Sequence, residues 1–249
     1  MELSNLVIIF FVAALAASFG TLIGGSSIVT IPTLILLGLP PHTAIGTDRF
    51  GIIGVGAAGW YKFHKMGHIN YRVGFTTAIP VFIGTIIGSN LVLQISEGIL
   101  KNVIVVANII IVVFMMVNHK IGIRKRSTEI RKREIILGVF FSFLVGVYGG
   151  FYGALAGTFS LYILVLWFRQ TFIQSAATLK ISATFMTVTA STIFAMNGTL
   201  DFYLGTAMFS GCFLGAYVGA HYAERIGDVW IKRLFLLFMV FVIAKLMLS

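Results

Sequence analysis

Residues 20–32 read Gly20-Thr21-Leu22-Ile23-Gly24-Gly25-Ser26-Ser27-Ile28-Val29-Thr30-Ile31-Pro32, a glycine-rich, hydroxyl-bearing interruption in an apolar run that extends over 5–39. A helix needs about 20 residues to cross a hydrocarbon core of about 30 Å. The run is too long for one span and too short for two. Gly20, the pair Gly24-Gly25 and Pro32 all oppose a continuous helix. The stretch predicts a long helix, a break, and a short helix of roughly 12 residues, about 18 Å long. Residues 135–168 show the same pattern, with Gly146, Gly149, Gly150, Gly153 and Gly157 at their centre. Irregular backbone at membrane depth survives only when buried in protein or lining a cavity. The breaks near 20–32 and 146–158 are therefore candidate site elements, placed at Gly24-Gly25 and Gly149-Gly150. Any one of these glycines is equally well explained by close helix packing through a small face.

Composition makes lipid the solvent. Of 249 residues, 58% are hydrophobic and 10% charged, and the mean hydropathy is +1.00. Soluble domains carry about 25% charged residues, and a surface with so few would expose large apolar patches. Full-length spans are predicted near 44–65, 73–95, 99–118, 135–155, 172–195, 203–223 and 231–248. With the broken segments this gives an all-α polytopic membrane protein of about 8–10 transmembrane or half-spanning helices. Met1-Glu2-Leu3-Ser4 lacks a basic leader region, so the first apolar run is read as mature structure. The net charge of +10 does not point to nucleic acid: seven of the 18 basic residues lie between Lys120 and Arg133. Cys212 alone offers neither a disulfide nor a metal site. No Walker loop, nucleophile elbow or dinucleotide fingerprint is present, so no cofactor, metal or enzymatic activity is expected.

The chain repeats itself. A shift of 131 positions brings Thr47 onto Thr178, Phe63 onto Phe194, Gly67 onto Gly198, Gly74 onto Gly205, Gly84 onto Gly215 and Gly88 onto Gly219. The same shift brings Arg49 onto Lys180, a match of charge rather than identity. One ungapped offset held across three helices indicates a tandem duplication: 1–118 a first repeat, 119–134 a basic linker, 135–249 a second repeat. The loop 62–72 holds Lys62, Lys65 and Arg72, whereas its mate 193–203 holds only Asp201. The contrast reverses at the next loop, where 224–233 is the basic partner of 96–101. Basic loops stay cytoplasmic, so equivalent loops fall on opposite sides. The sequence thus predicts two inverted-topology repeats, the plan of many secondary transporters, with both termini outside.

Asp48, Arg49 and Lys180 are the outlying charges of the predicted spans, each near the start of a helix that follows a broken segment. A charge at a span's centre costs about 2.5–3.5 kcal/mol on insertion scales. Arg49 and Lys180, equivalent under the repeat, can flank one anion site together with half-helix N-termini at the breaks. Thr47 and Thr178 can offer hydroxyl donors, and Gly24, Gly25, Ser26, Gly149 and Gly150 would let backbone approach the anion. Snorkelling of the cations to the interface, or mutual neutralisation of Asp48 and Arg49, is the competing explanation. Asp48 and His42 are candidates for carrying a coupling proton; exchange against a counter-anion is the other route. His64, His68 and His119 read as loop residues and His221 as a helix-end residue. Trp60, Trp167 and Trp230 fit an interfacial belt.

These segments resemble the TauE/SafE sulfite-exporter family of membrane permeases. The resemblance rests on Gly24-Gly25-Ser26-Ser27-Ile28-Val29-Thr30-Ile31-Pro32, on Ala44-Ile45-Gly46-Thr47, on Gly67-His68-Ile69-Asn70-Tyr71-Arg72, on Gly84 and Gly88, and on Ser175-Ala176-Ala177-Thr178-Leu179-Lys180. It departs in the second half, which has no counterpart of Pro32 and a diluted glycine run, Gly149-Gly150-Phe151-Tyr152-Gly153. The resemblance implies export or uptake of small sulfur-containing anions or organic acids across the cell membrane. A secondary transporter for a small anion is the leading reading, and an anion channel with a continuous pore the alternative.

Overall fold

The computed structural model describes residues 3–106 and 131–222, and every regular element in them is helical. Helix α1 (Leu3–Ile23) is followed by the short α2 (Ser27–Leu36), then by α3 (Pro41–Lys65) and α4 (Tyr71–Leu93). A further helical stretch opens over 97–106. The second half supplies α5 (Lys132–Phe151), the short α6 (Ala156–Leu166), α7 (Phe172–Met196) and α8 (Phe202–Tyr222). The basic linker up to residue 130, residues 107–118 of the 99–118 span, the basic loop 224–233, the 231–248 span, His119 and Trp230 lie outside the described residues.

Among the described residues, five helices (α1, α4, α5, α7 and α8) are long and apolar enough to cross a membrane. Helix α3 matches α7 in length, at 25 residues each, but it carries Asp48 and Arg49. Large side chains such as Phe75, Ile79, Ile83, Ile86 and Ile87 of α4 face outward, as a lipid-facing surface requires. The inward face of α4, with Gly74, Ala78, Gly84, Thr85, Gly88 and Ser89, is small, which lets helix backbones approach closely.

The 131-residue shift is visible in the backbone. Helices α3 and α7 begin and end at equivalent positions. Left-handed residues pair under the same shift: Gly24 with Leu155, Gly38 with Arg169, Gly67 with Gly198. Contacts exchange between halves in the same way. A Cβ at Gly84 or Gly88 of α4 would strike the backbone of α5 at Phe143 and Val147. A Cβ at their mates Gly215 and Gly219 of α8 would strike the backbone of α1 at Ala14 and Ser18. Gly74 rests on Ile181, and its mate Gly205 on Phe50, itself the mate of Ile181.

Two hydrogen bonds orient α3 against α7. The Asp201 amide donates to Thr47 Oγ1 at 3.0 Å, and the Asn70 amide donates to Thr178 Oγ1 at 3.1 Å. The start of each helix therefore lies beside the end of the other, and α3 and α7 run antiparallel. Asn70 and Asp201 also cap the following helices with their side chains, accepting from Val73 in one case and from Tyr203 and Leu204 in the other.

The first break falls where the sequence places it. Gly24 and Gly25 are non-helical, with φ of +82° and +95°, a region open to glycine at no steric penalty. The second falls within the expected 146–158 but not at the glycine pair. Gly149 and Gly150 remain inside α5, and the break comes at 152–155, where Gly153 has φ +73° and Leu155 φ +63°. Both glycines of the pair serve packing instead: a Cβ on Gly149 would meet the Met186 sulfur, and one on Gly150 the Thr85 carbonyl and Ser89. Small-face packing explains this pair, and the helix runs on until Tyr152.

Candidate functional site

The two breaks meet. A Cβ on Gly24 would lie 2.6 Å from the Thr158 amide nitrogen, and Gly157 approaches the Gly24 Cα in return. Between them lies a cavity of about 60 Å³, lined by Gly24, Gly25, Ser26, Arg49, Gly153 and Lys180 among others. That volume holds a few waters, since one water needs roughly 10–15 Å³ measured this way. The start of α2 and the start of α6 both face it, and a helix start carries about half a positive charge.

Arg49 and Lys180 are 1% and 3% exposed. Each follows the start of its helix by roughly 12 Å at 1.5 Å per residue. Neither snorkels. Because α3 and α7 run antiparallel, the two cations enter the middle of the bundle from opposite ends.

Their surroundings differ. Arg49 Nη2 donates to Asp48 Oδ2 at 2.8 Å, to Ser27 Oγ at 3.0 Å and to the Tyr152 carbonyl at 3.0 Å. Ser27 in turn donates to Asp48 Oδ2 at 2.9 Å, and Thr30 donates to Oδ1. The carboxylate of Asp48, fully buried, thus accepts from three side chains. Arg49 Nε is buried without a partner. Gly153 leaves space for this guanidinium, since a Cβ there would strike Nη1. Lys180 has no acid beside it: Leu179 stands where the first half has Asp48. Its ammonium donates to the Thr21 carbonyl at 2.5 Å, and its stem crosses α3 at Gly59.

The other predicted residues lie elsewhere. Thr47 and Thr178 do not line the cavity; their hydroxyls hold the helix-end contacts described above. Gly149 and Gly150 are packing residues of α5. Asp48 sits behind Arg49 rather than on the cavity wall. His42 lies near the start of α3, with Nε2 3.0 Å from the Val92 carbonyl and Nδ1 3.7 Å from Glu97. Among the described residues no group of His, Cys, Asp and Glu could hold a metal ion.

Sequence reasoning missed the backbone partners, the Tyr152 and Thr21 carbonyls, which carry no side-chain signal. It also passed over Thr30. That residue was findable, because Ser27 and Thr30 are three apart and share one face of a helix.

Comparison with known proteins agrees with this architecture. Residues 9–246 match the family described as Sulfite exporter TauE/SafE. A "Probable membrane transporter protein" of Haemophilus influenzae is 25% identical over 97% of this chain and 94% of its own length. The Sinorhizobium protein ORF9, with the same description, is 27% identical over 92% and 88%. YfcA of Escherichia coli, also a probable membrane transporter, is 25% identical over 96% and 88%. No solved structure matches the chain.

Proposed function

From the chain's membership of the TauE/SafE sulfite-exporter family, and hence its standing as a multi-pass membrane transporter of the cell membrane, we propose that its cargo is a small sulfur-containing anion such as sulfite or an organosulfonate. One observation carries this reading: two buried cations from equivalent positions of the two halves line one cavity where both broken helices meet. Arg49 and Lys180 supply charge, while Gly24, Gly25 and Ser26 admit the anion to backbone. The antiparallel run of α3 and α7 supports an inverted-topology arrangement of repeats 1–118 and 135–249 around a cytoplasmic linker. Alternating access then follows as a rocking of one repeat against the other around the fixed site. The coupling partner is a proton or a counter-anion.

Flux in proteoliposomes tests the proposal. Uptake of sulfite or a small sulfonate should saturate and should depend on a counter-anion or proton gradient. Large unitary currents would replace the carrier with a channel. If sulfite, sulfonates and small carboxylates neither move nor stabilise the protein thermally, the anion reading fails. Occupancy at 100 times Kd should stabilise by about 2.7 kcal/mol.

A further inference from the structure

The cavity's charge balance says which anions suit it. Among the described residues, only three charged side chains of the Asp, Glu, Lys and Arg types are buried: Asp48, Arg49 and Lys180. Asp48 and Arg49 form an ion pair at 2.8 Å, both nearly inaccessible to solvent. The hydroxyls of Ser27 and Thr30 and the guanidinium of Arg49 all donate to Asp48, a set of partners that suits an ionised carboxylate, which only accepts. The pair cancels. One formal positive charge, that of Lys180, is left facing the cavity, with a lone backbone carbonyl as its partner.

We infer that the site selects singly charged anions over doubly charged ones, because Asp48 neutralises Arg49 and leaves Lys180 as the single uncompensated charge. This rests on the anion reading above and adds to it. The physical reason is a mismatch of scaling. The Born penalty for taking an ion out of water grows with the square of its charge, whereas attraction to a fixed net charge grows only linearly. A monoanion brings the buried cluster to neutrality. A dianion leaves one unpaired negative charge in a low-dielectric interior. The helix starts at both breaks and the free Arg49 Nε add hydrogen-bonding direction without changing the formal count.

Methanesulfonate and sulfate make the test, since both present a tetrahedral sulfur head and neither changes charge near neutral pH. Apparent affinities are read on the intact purified protein, by thermal stabilisation in detergent and by competition for sulfite flux in proteoliposomes. Methanesulfonate should bind the unaltered protein at least about tenfold more tightly than sulfate, the scale of one charge-assisted contact. Asp48→Asn, which keeps the side chain's shape and removes its charge, should shrink that ratio at least about tenfold or reverse it. Equal or sulfate-favouring affinities in the unaltered protein overturn the charge selection while leaving an anion site standing. An unchanged ratio in Asp48→Asn overturns the charge balance as its cause. If neither binds while sulfite does, the charge selection falls; if sulfite and small carboxylates fail as well, the anion reading itself falls. The unaltered protein's ratio decides the selection by itself even where the variant does not fold.

Discussion

Arg49 and Lys180 correspond under the 131-residue shift, yet one is locked into a side-chain network and the other is nearly alone. The first half gives its cation an acid and the Ser27 hydroxyl, holds that acid with Thr30 as well, and receives the Tyr152 carbonyl from across the molecule. Lys180 meets a single carbonyl, that of Thr21 from the first half, and the second half puts Leu179 where the acid would be. Equivalence of position therefore does not mean equivalence of role. On the anion reading proposed above, the paired arginine shapes the site, and the lysine with no acid beside it is available to charge brought in from outside.

The largest expected effect separates the two. Arg49→Gln strands Asp48 as a buried, unpaired carboxylate, which should destabilise the protein by about 3–5 kcal/mol. Asp48→Asn added to it should restore most of that loss, as read by thermal unfolding in detergent. Two equally destabilised proteins would show that the pair does not hold the first half together. Lys180→Gln strands no acid, so folding should be little changed, while anion affinity should drop by about 1.5–3 kcal/mol, roughly 10- to 150-fold. Normal transport by this variant would move the anion site away from Lys180.

A second contrast lies in the helix seams. Thr85 and Ser89 of α4 bond across to the carbonyls of Gly146 and Gly150, each at 3.3 Å, whereas their mates in α8, Ala216 and Ala220, are buried and apolar. Thr85→Ala should cost about 0.5–1.5 kcal/mol, and Ala216→Ser should gain nothing. If the two changes shift thermal stability alike, the hydroxyls are incidental to the first seam. The smallest effect concerns Thr47 and Thr178. Thr47→Val and Thr178→Val should each cost about 0.5–1.5 kcal/mol of stability and leave anion affinity untouched. A selective loss of affinity would return both hydroxyls to the anion site. Orientation has its own test in a Cys212→Ala background. Single cysteines placed at His68 and Thr199 should react with an impermeant reagent from opposite faces, and labelling from the same face would end the inverted-repeat reading.

Much of this was legible in the residues. The membrane-scale lengths of α1, α4, α5, α7 and α8, the Gly24-Gly25 break and the outlying charges follow from local rules: glycine's freedom at positive φ, the thickness of hydrocarbon, and the penalty for charge within it. Gly149 and Gly150 misled because a glycine pair has two uses. Whether it breaks a helix or seats a neighbour depends on what lies opposite, here Met186, Thr85 and Ser89. Leu155 hid the true break, since its left-handed backbone is one that no sequence rule expects of leucine.

The sequence by itself determined that this chain lives in lipid, and it singled out Asp48, Arg49 and Lys180 as charges within apolar runs. Only the tertiary structure decided which cation the acid cancels, that Thr47 and Thr178 tie helix ends, and that both breaks share one cavity. The division has a physical cause. Composition and periodicity reflect each residue's exchange with solvent, whereas pairing depends on distances across the chain, and those are set only when α2, α3, α6 and α7 pack.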